Sequence, residues 1–87
     1  MIDFEFDNTK SSANLKKHGI DFEKAQAIWA DPDFIEVPAR LMDEPRLLVI
    51  GRIGDKLWSA IVTFRNNNVR IISVRRARSE ERVIYES

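Results

Sequence analysis

Ile2, Phe4 and Phe6 alternate with Asp3, Glu5 and Asp7, a two-residue period that predicts a short half-buried strand. Asp7, Asn8 and Thr9 follow as candidate N-caps, and no Gly or Pro interrupts the chain before Gly19, so a first helix is predicted over about Asn8–His18. Its apolar content is thin, essentially Ala13 and Leu15, so packing against other elements must hold it. Asp21 is placed to cap a second helix in which Phe22, Ala25, Ile28 and Trp29 follow helical spacing, and Asp31-Pro32 ends it.

From Phe34 the pattern turns strand-like, with Pro38 and Pro45 confining Phe34–Val37 to an edge or a loop. Arg46–Ile53, Lys56–Arg65 and Val69–Arg76 are separated by Gly54-Asp55 and by Asn66-Asn67-Asn68, which predicts a three-stranded antiparallel meander. In Lys56–Arg65 one face carries Trp58, Ala60, Val62 and Phe64, and the other carries Leu57, Ser59, Ile61, Thr63 and Arg65. Ser79 is placed to cap a last turn over Glu80–Glu86. The order predicts an α+β fold with the N-terminal helices on one face of an antiparallel sheet, a short C-terminal helix, and the other face left for function.

Eighty-seven residues suit a single domain, 1–87, and 44% hydrophobic with 32% charged residues is a folding composition. A core this small leaves room for a partner to add stability. The absence of cysteine removes disulfides, thiolate zinc sites and cysteine nucleophiles, and makes the cytosol the expected compartment. No apolar run reaches the ~20 residues of a membrane span, and the N-terminus carries acids instead of a basic signal region, so neither membrane insertion nor secretion is expected.

Net charge is zero, but it is divided unevenly. Residues 1–45 carry five Lys or Arg against ten Asp or Glu, a formal −5; residues 46–87 carry nine against four, a formal +5. Five arginines and no acid fall within Arg65–Arg78, a pattern that points to an anionic ligand. The competing account pairs these arginines with the acids of the first half. In a regular strand Ser73 and Arg75 share one face while Arg70 and Arg76 share the other, so at least one arginine must be structural.

Lys16-Lys17-His18-Gly19 closes the first helix, where cations complement the helix dipole and Gly19 supplies a left-handed cap. His18 is also the one side chain here whose ordinary pKa, ~6.5, suits both taking and giving a proton near neutrality. Asp31, Asp33, Asp43 and Glu44 read as a helix end and a solvated loop more simply than as metal ligands, so no metal site or cofactor is expected. Gly-rich phosphate loops, serine elbows and HExxH are absent. Trp29 and Trp58 read as core, and Tyr85 either staples the last helix or reaches a base.

Phe4-Glu-Phe-Asp7, Lys10, Asn14-Leu-Lys-Lys-His-Gly19, Phe22-Glu-Lys-Ala25 and Asp31-Pro32, with Arg70-Ile-Ile-Ser-Val-Arg-Arg-Ala77, Glu81-Arg82 and Tyr85-Glu86, resemble the BrnT family of bacterial toxins over nearly the whole chain. Phe6 stands where that family usually places Trp. The resemblance implies a RelE-like fold and a ribonuclease that arrests translation by metal-independent attack of a ribose 2′-hydroxyl. It also implies neutralisation by a cognate BrnA-type antitoxin, through which alone operator DNA is reached. On that reading His18 is the general base or acid, Arg65 and Arg75 clamp phosphate, Lys17, Arg76 and Tyr85 contact RNA, and Arg70 is left a structural role. Two other classes fit the same arginines: a non-catalytic nucleic-acid-binding module, and a protein-interaction module that receives an acidic helix.

Overall fold

The computed structural model of the chain describes residues 2–39 and 45–87. In order these form β1 (Phe4–Glu5), α1 (Asn8–His18), α2 (Phe22–Ala25) running into a 3-10 helix (Gln26–Ala30), β2 (Ile35–Ala39), β3 (Arg46–Ile53), β4 (Lys56–Arg65), β5 (Asn68–Arg76) and α3 (Ser79–Glu86).

Local chemistry accounts for the helix ends. The Asp7 carboxylate accepts the Lys10 N–H at 3.0 Å to start α1, and Gly19, at φ 80, ends it with its N–H on the Leu15 carbonyl. Asp21 starts α2 by accepting the Lys24 N–H at 2.7 Å. The predicted second helix does not stay α-helical to Asp31. Its tighter 3-10 half brings Ala25, Ile28 and Asp31 to one side at a three-residue period; Ala25 and Ile28 are fully buried, and Asp31 accepts the Arg52 N–H of β3 at 2.7 Å. Gly51 permits this approach, since a Cβ there would stand 2.7 Å from Ile28 Cγ2. The last helix begins one residue earlier than its Ser79 cap predicts, because Glu81 reaches back to the Arg78 N–H at 2.8 Å and makes Arg78 the cap.

The sheet has the order β1-β5-β4-β3-β2. β2, β3, β4 and β5 pair antiparallel, but β1 pairs parallel to β5, so the sheet is mixed where an antiparallel one was expected. Only two residues of the predicted first strand pair, and Ile2 is exposed. Register places Val49, Trp58, Ala60, Val62, Ile71 and Val74 on one face, where Ile20, Phe22, Ala25 and Ile28 close the core. Trp29 packs edge-on against Phe4 and beside Phe34, as its core reading predicts.

Helix α1 is held chiefly by polar groups, which explains its thin apolar content. Asn14 is buried; its side chain donates to the Ile20 and Val74 carbonyls at 2.8 and 2.9 Å and accepts the Val74 N–H at 3.2 Å, continuing the β5 edge where β1 stops. Ser11 Oγ accepts the Phe22 N–H at 2.9 Å.

The opposite face, which the sequence pattern left for function, is not wholly free. Helix α3 lies over one end of it, packing on β3 and covering Ile50 and Leu57, both fully buried. Among the described residues, none of the helices covers the other end, toward Arg46, Thr63 and Arg65.

Candidate functional site

Strands β4 and β5 pair from Arg65↔Asn68 to Val62↔Ile71 and again from Ile61↔Ser73 to Trp58↔Arg76, leaving Ile72 as an extra residue. Such a bulge shifts the alternation of side chains by one. Arg70, opposite Thr63, and Arg75, opposite Ser59, therefore lie on the same open face, whereas Arg76, opposite Trp58, lies on the helix face. The regular-strand expectation, with Arg70 beside Arg76 and away from Arg75, is reversed.

The open end of this face holds a pocket of about 190 Å³ lined by Lys10, Arg46, Thr63, Arg65, Arg70 and Ile72. Four separate elements deliver its four cations: the first turn of α1, the start of β3, the end of β4 and the start of β5. Thr63 Oγ1 donates to the Pro45 carbonyl at 2.8 Å and ties the chain entering β3 to this rim. Beside Arg70, Glu5 accepts Asn68 Nδ2 at 3.2 Å and Arg70 Nη1 at 2.9 Å, and Asn68 first and then Arg70 hold its carboxyl below the usual range. Among the described residues this is the one ion pair between the acidic and basic halves of the chain, so pairing across the halves does not consume the other cations. Lys10, Arg46 and Arg65 form no ion pair among the described residues.

The six site residues expected from sequence do not converge. Arg65 is exposed at the pocket. Arg75 lies six β4 positions away, about 20 Å along the sheet, so the two arginines cannot grip one phosphate. The Arg75 guanidinium is moreover engaged: Nη1 and Nη2 bind the two oxygens of Glu81 at 2.7 and 2.8 Å. Glu81 is only 6% exposed and also accepts Ser59 Oγ at 2.9 Å and the Arg78 N–H; Arg75 first, and then these donors, lower its carboxyl to about 2. Arg75 thus braces α3 against the sheet.

Tyr85 staples the last helix. Its hydroxyl donates to Asp31 Oδ2 at 2.7 Å, the Arg52 guanidinium lies 5.5 Å from its ring centre, and the Asp31 carboxylate raises its pKa. His18 and Lys17 end α1, about 12 Å along the helix axis from Lys10, which puts a phosphate in the pocket beyond the reach of His18. Gly19, Lys24, Lys56 and Trp58 line a second hollow of about 320 Å³ beside that helix end, and Arg76 lies over the Trp58 ring at 5.6 Å.

Among the described residues no three His, Asp or Glu side chains gather into a metal-ligand set. The Asp31 carboxylate serves three donors: the N–H groups of Asp33 and Arg52, and Tyr85. Asp43 and Glu44 lie outside the described residues. Among the described residues no helix is long and apolar enough to cross a membrane. Sequence reasoning missed Lys10, Arg46 and Thr63 as partners of Arg65: Thr63 shares its face of β4, the β3–β4 register with Leu47 opposite Val62 brings Arg46 alongside, and Lys10 arrives from α1, so Arg46 and Lys10 join only in the assembled fold.

An α+β domain with one face sealed by helices and a cationic pocket on the other has the chemistry of a protein that grips a polyanion. Residues 6–81 match the family described as "Ribonuclease toxin, BrnT, of type II toxin-antitoxin system". The match covers most of the chain, and the chain belongs to the BrnT family. Among curated proteins, no individual sequence matches it.

Proposed function

We propose that the chain is an endoribonuclease that cleaves RNA by attack of a ribose 2′-hydroxyl on the adjacent phosphate, with the open sheet face as its RNA-binding surface. The observation that carries this is the convergence of Lys10, Arg46, Arg65 and Arg70 on one small pocket. Guanidinium groups cannot lose their charge and match phosphate geometry, so they stabilise a phosphorane as well as a resting phosphodiester. Four cations supply the charge that a divalent ion would otherwise bring, which supports a metal-independent reaction. Arg65 keeps the clamping role its position suggests, whereas Arg76 projects from the other face of the sheet and Lys17 and His18 stand at the far end of α1, away from this pocket.

Destruction of RNA in the cytoplasm arrests translation. Two N-terminal helices on one face and a basic opposite face are consistent with a RelE-like arrangement. A BrnA-type antitoxin that lays acids over Lys10, Arg46 and Arg65 would neutralise this toxin by excluding RNA, and would itself carry any contact with operator DNA. The test is charge reversal: Arg65→Glu should abolish both RNA binding and cleavage while Lys16→Glu, on exposed α1 surface, leaves them intact. Equal loss in both variants would move the RNA to another surface.

A further inference from the structure

We infer that Glu5 is the proton acceptor of the cleavage reaction, taking the proton of the attacking 2′-hydroxyl from a nucleotide whose phosphate sits against Arg65 and Arg70. This rests on the functional reading above. Glu5 and Arg70 are register partners across the parallel β1–β5 pair, so both side chains project from the open face. The carboxylate accepts one hydrogen bond at each oxygen, from Arg70 and from Asn68, and each oxygen keeps a free lone pair. Its side chain is 27% exposed, enough for a ribose to reach.

The simpler account is that Glu5 only neutralises Arg70. Geometry favours more than that. Arg70 lines the pocket and its guanidinium holds the Glu5 carboxylate at 2.9 Å, so a phosphate that binds Arg70 comes within one side chain of Glu5. Asp7, the other acid that feels Arg70, spends Oδ1 on the cap of α1. His18 is too far along the helix to serve this pocket. A phosphate entering the cluster adds negative charge beside Glu5 and raises its proton affinity, so the base strengthens when substrate is present.

The step balances without a further reagent. The 2′-hydroxyl passes its proton to Glu5, O2′ bonds to phosphorus, and the bond from phosphorus to the 5′-oxygen breaks. The departing 5′-oxygen takes a proton from solvent, to which the pocket is open, and Glu5 returns its proton to solvent.

The experiment compares the wild-type chain with Glu5→Gln in single-turnover cleavage of a labelled oligoribonucleotide, alongside binding of its uncleavable 2′-O-methyl analogue. Gln can still accept from Arg70, so the fold should persist. The expected result is a rate lowered ~10²–10⁴-fold, with the analogue bound as tightly or more tightly because one negative charge has left the cation cluster. The wild-type rate should also stay level from pH 7 to 6, since the Asn68 and Arg70 hydrogen bonds hold the Glu5 carboxyl below its ordinary value, with Arg65 and the Asp7 carboxylate the other charges nearby. A Gln variant that cleaves at the wild-type rate, or loses binding and rate in equal measure, overturns the proposal. So does a wild-type rate that falls between pH 7 and 6, a readout that needs no variant to fold. If the wild-type chain cleaves no RNA, the functional reading itself has failed.

Discussion

Arg70 and Arg75, five residues apart on β5, point to the same face of the sheet, because the bulge at Ile72 inserts one residue between them. Each meets a different carboxylate: Arg70 pairs with Glu5 at the open pocket, and Arg75 pairs with Glu81 beneath α3. The open face is thereby divided into an end with an open cationic pocket, the proposed binding end, and an end braced by α3. Three predictions follow from this division, and a fourth concerns the 3-10 helix on the opposite side of the sheet.

Arg65 belongs to the binding end. Arg65→Ala should lower turnover about 10²-fold or more, as loss of a group that stabilises transition-state charge does. It should also reduce the slope of log RNA affinity against log salt by about one, the mark of one phosphate contact. Cleavage kinetics and binding titrations across salt measure both; an unchanged salt slope places Arg65 away from the RNA backbone.

Arg75 belongs to the bracing end. Arg75→Ala leaves the buried Glu81 carboxylate without its main donor and should destabilise the fold by about 2–3 kcal/mol, less than for a fully buried pair because Arg75 is a quarter exposed. Urea unfolding reads this directly. A variant of wild-type stability that has lost turnover would return Arg75 to the phosphate clamp.

Acid should loosen α3. The folded-state pKa of Glu81 is lowered from 4.5 to about 2, so the unfolded chain binds more protons between those values. The contribution of Glu81 to stability is fully present above about pH 4.5 and lost as pH falls toward 2. Glu81→Gln should therefore be less stable than wild type at neutral pH and show a shallower loss over that window in thermal melts. Parallel pH curves for the two proteins would contradict the pairing.

Gly51→Ala tests the approach of the 3-10 helix to β3. A Cβ 2.7 Å from Ile28 Cγ2 and 3.0 Å from the Ile28 carbonyl forces the helix off the sheet, at about 1–3 kcal/mol. A melting temperature equal to that of wild type would show that the contact yields freely.

Much of the fold was legible in the chain because its signals are local. The two-residue alternation of Lys56–Arg65, the caps Asp7 and Asp21, and Gly19 at positive φ are each decided within a few residues, and each appears where the pattern puts it. Asn66 and Asn67 both adopt positive φ, as a tight hairpin requires. The bulge was not legible, since Ile71, Ile72 and Ser73 alternate plausibly in either register and only packing of Ile71 and Val74 into the core fixes which residue is extra. That one position decided where the last arginines point: it put Arg75 with Arg70 and sent Arg76 to the other face, while the β3–β4 register and the start of α1 brought Arg46 and Lys10 to the pocket. The bracing role of Arg75 was likewise hidden, because Glu81 stands six residues on and meets it only when α3 folds back.

The central claim is that this face cleaves RNA by 2′-hydroxyl attack. The direct measurement is incubation of the purified chain, free of antitoxin, with end-labelled RNA in excess chelator, followed by analysis of the new termini. Fragments ending in a 2′,3′-cyclic phosphate or its 3′-phosphate product, formed by wild type and not by Arg65→Ala, are the predicted result. Cleavage that stops in chelator and returns with magnesium, or fragments with free 3′-hydroxyls, would contradict it.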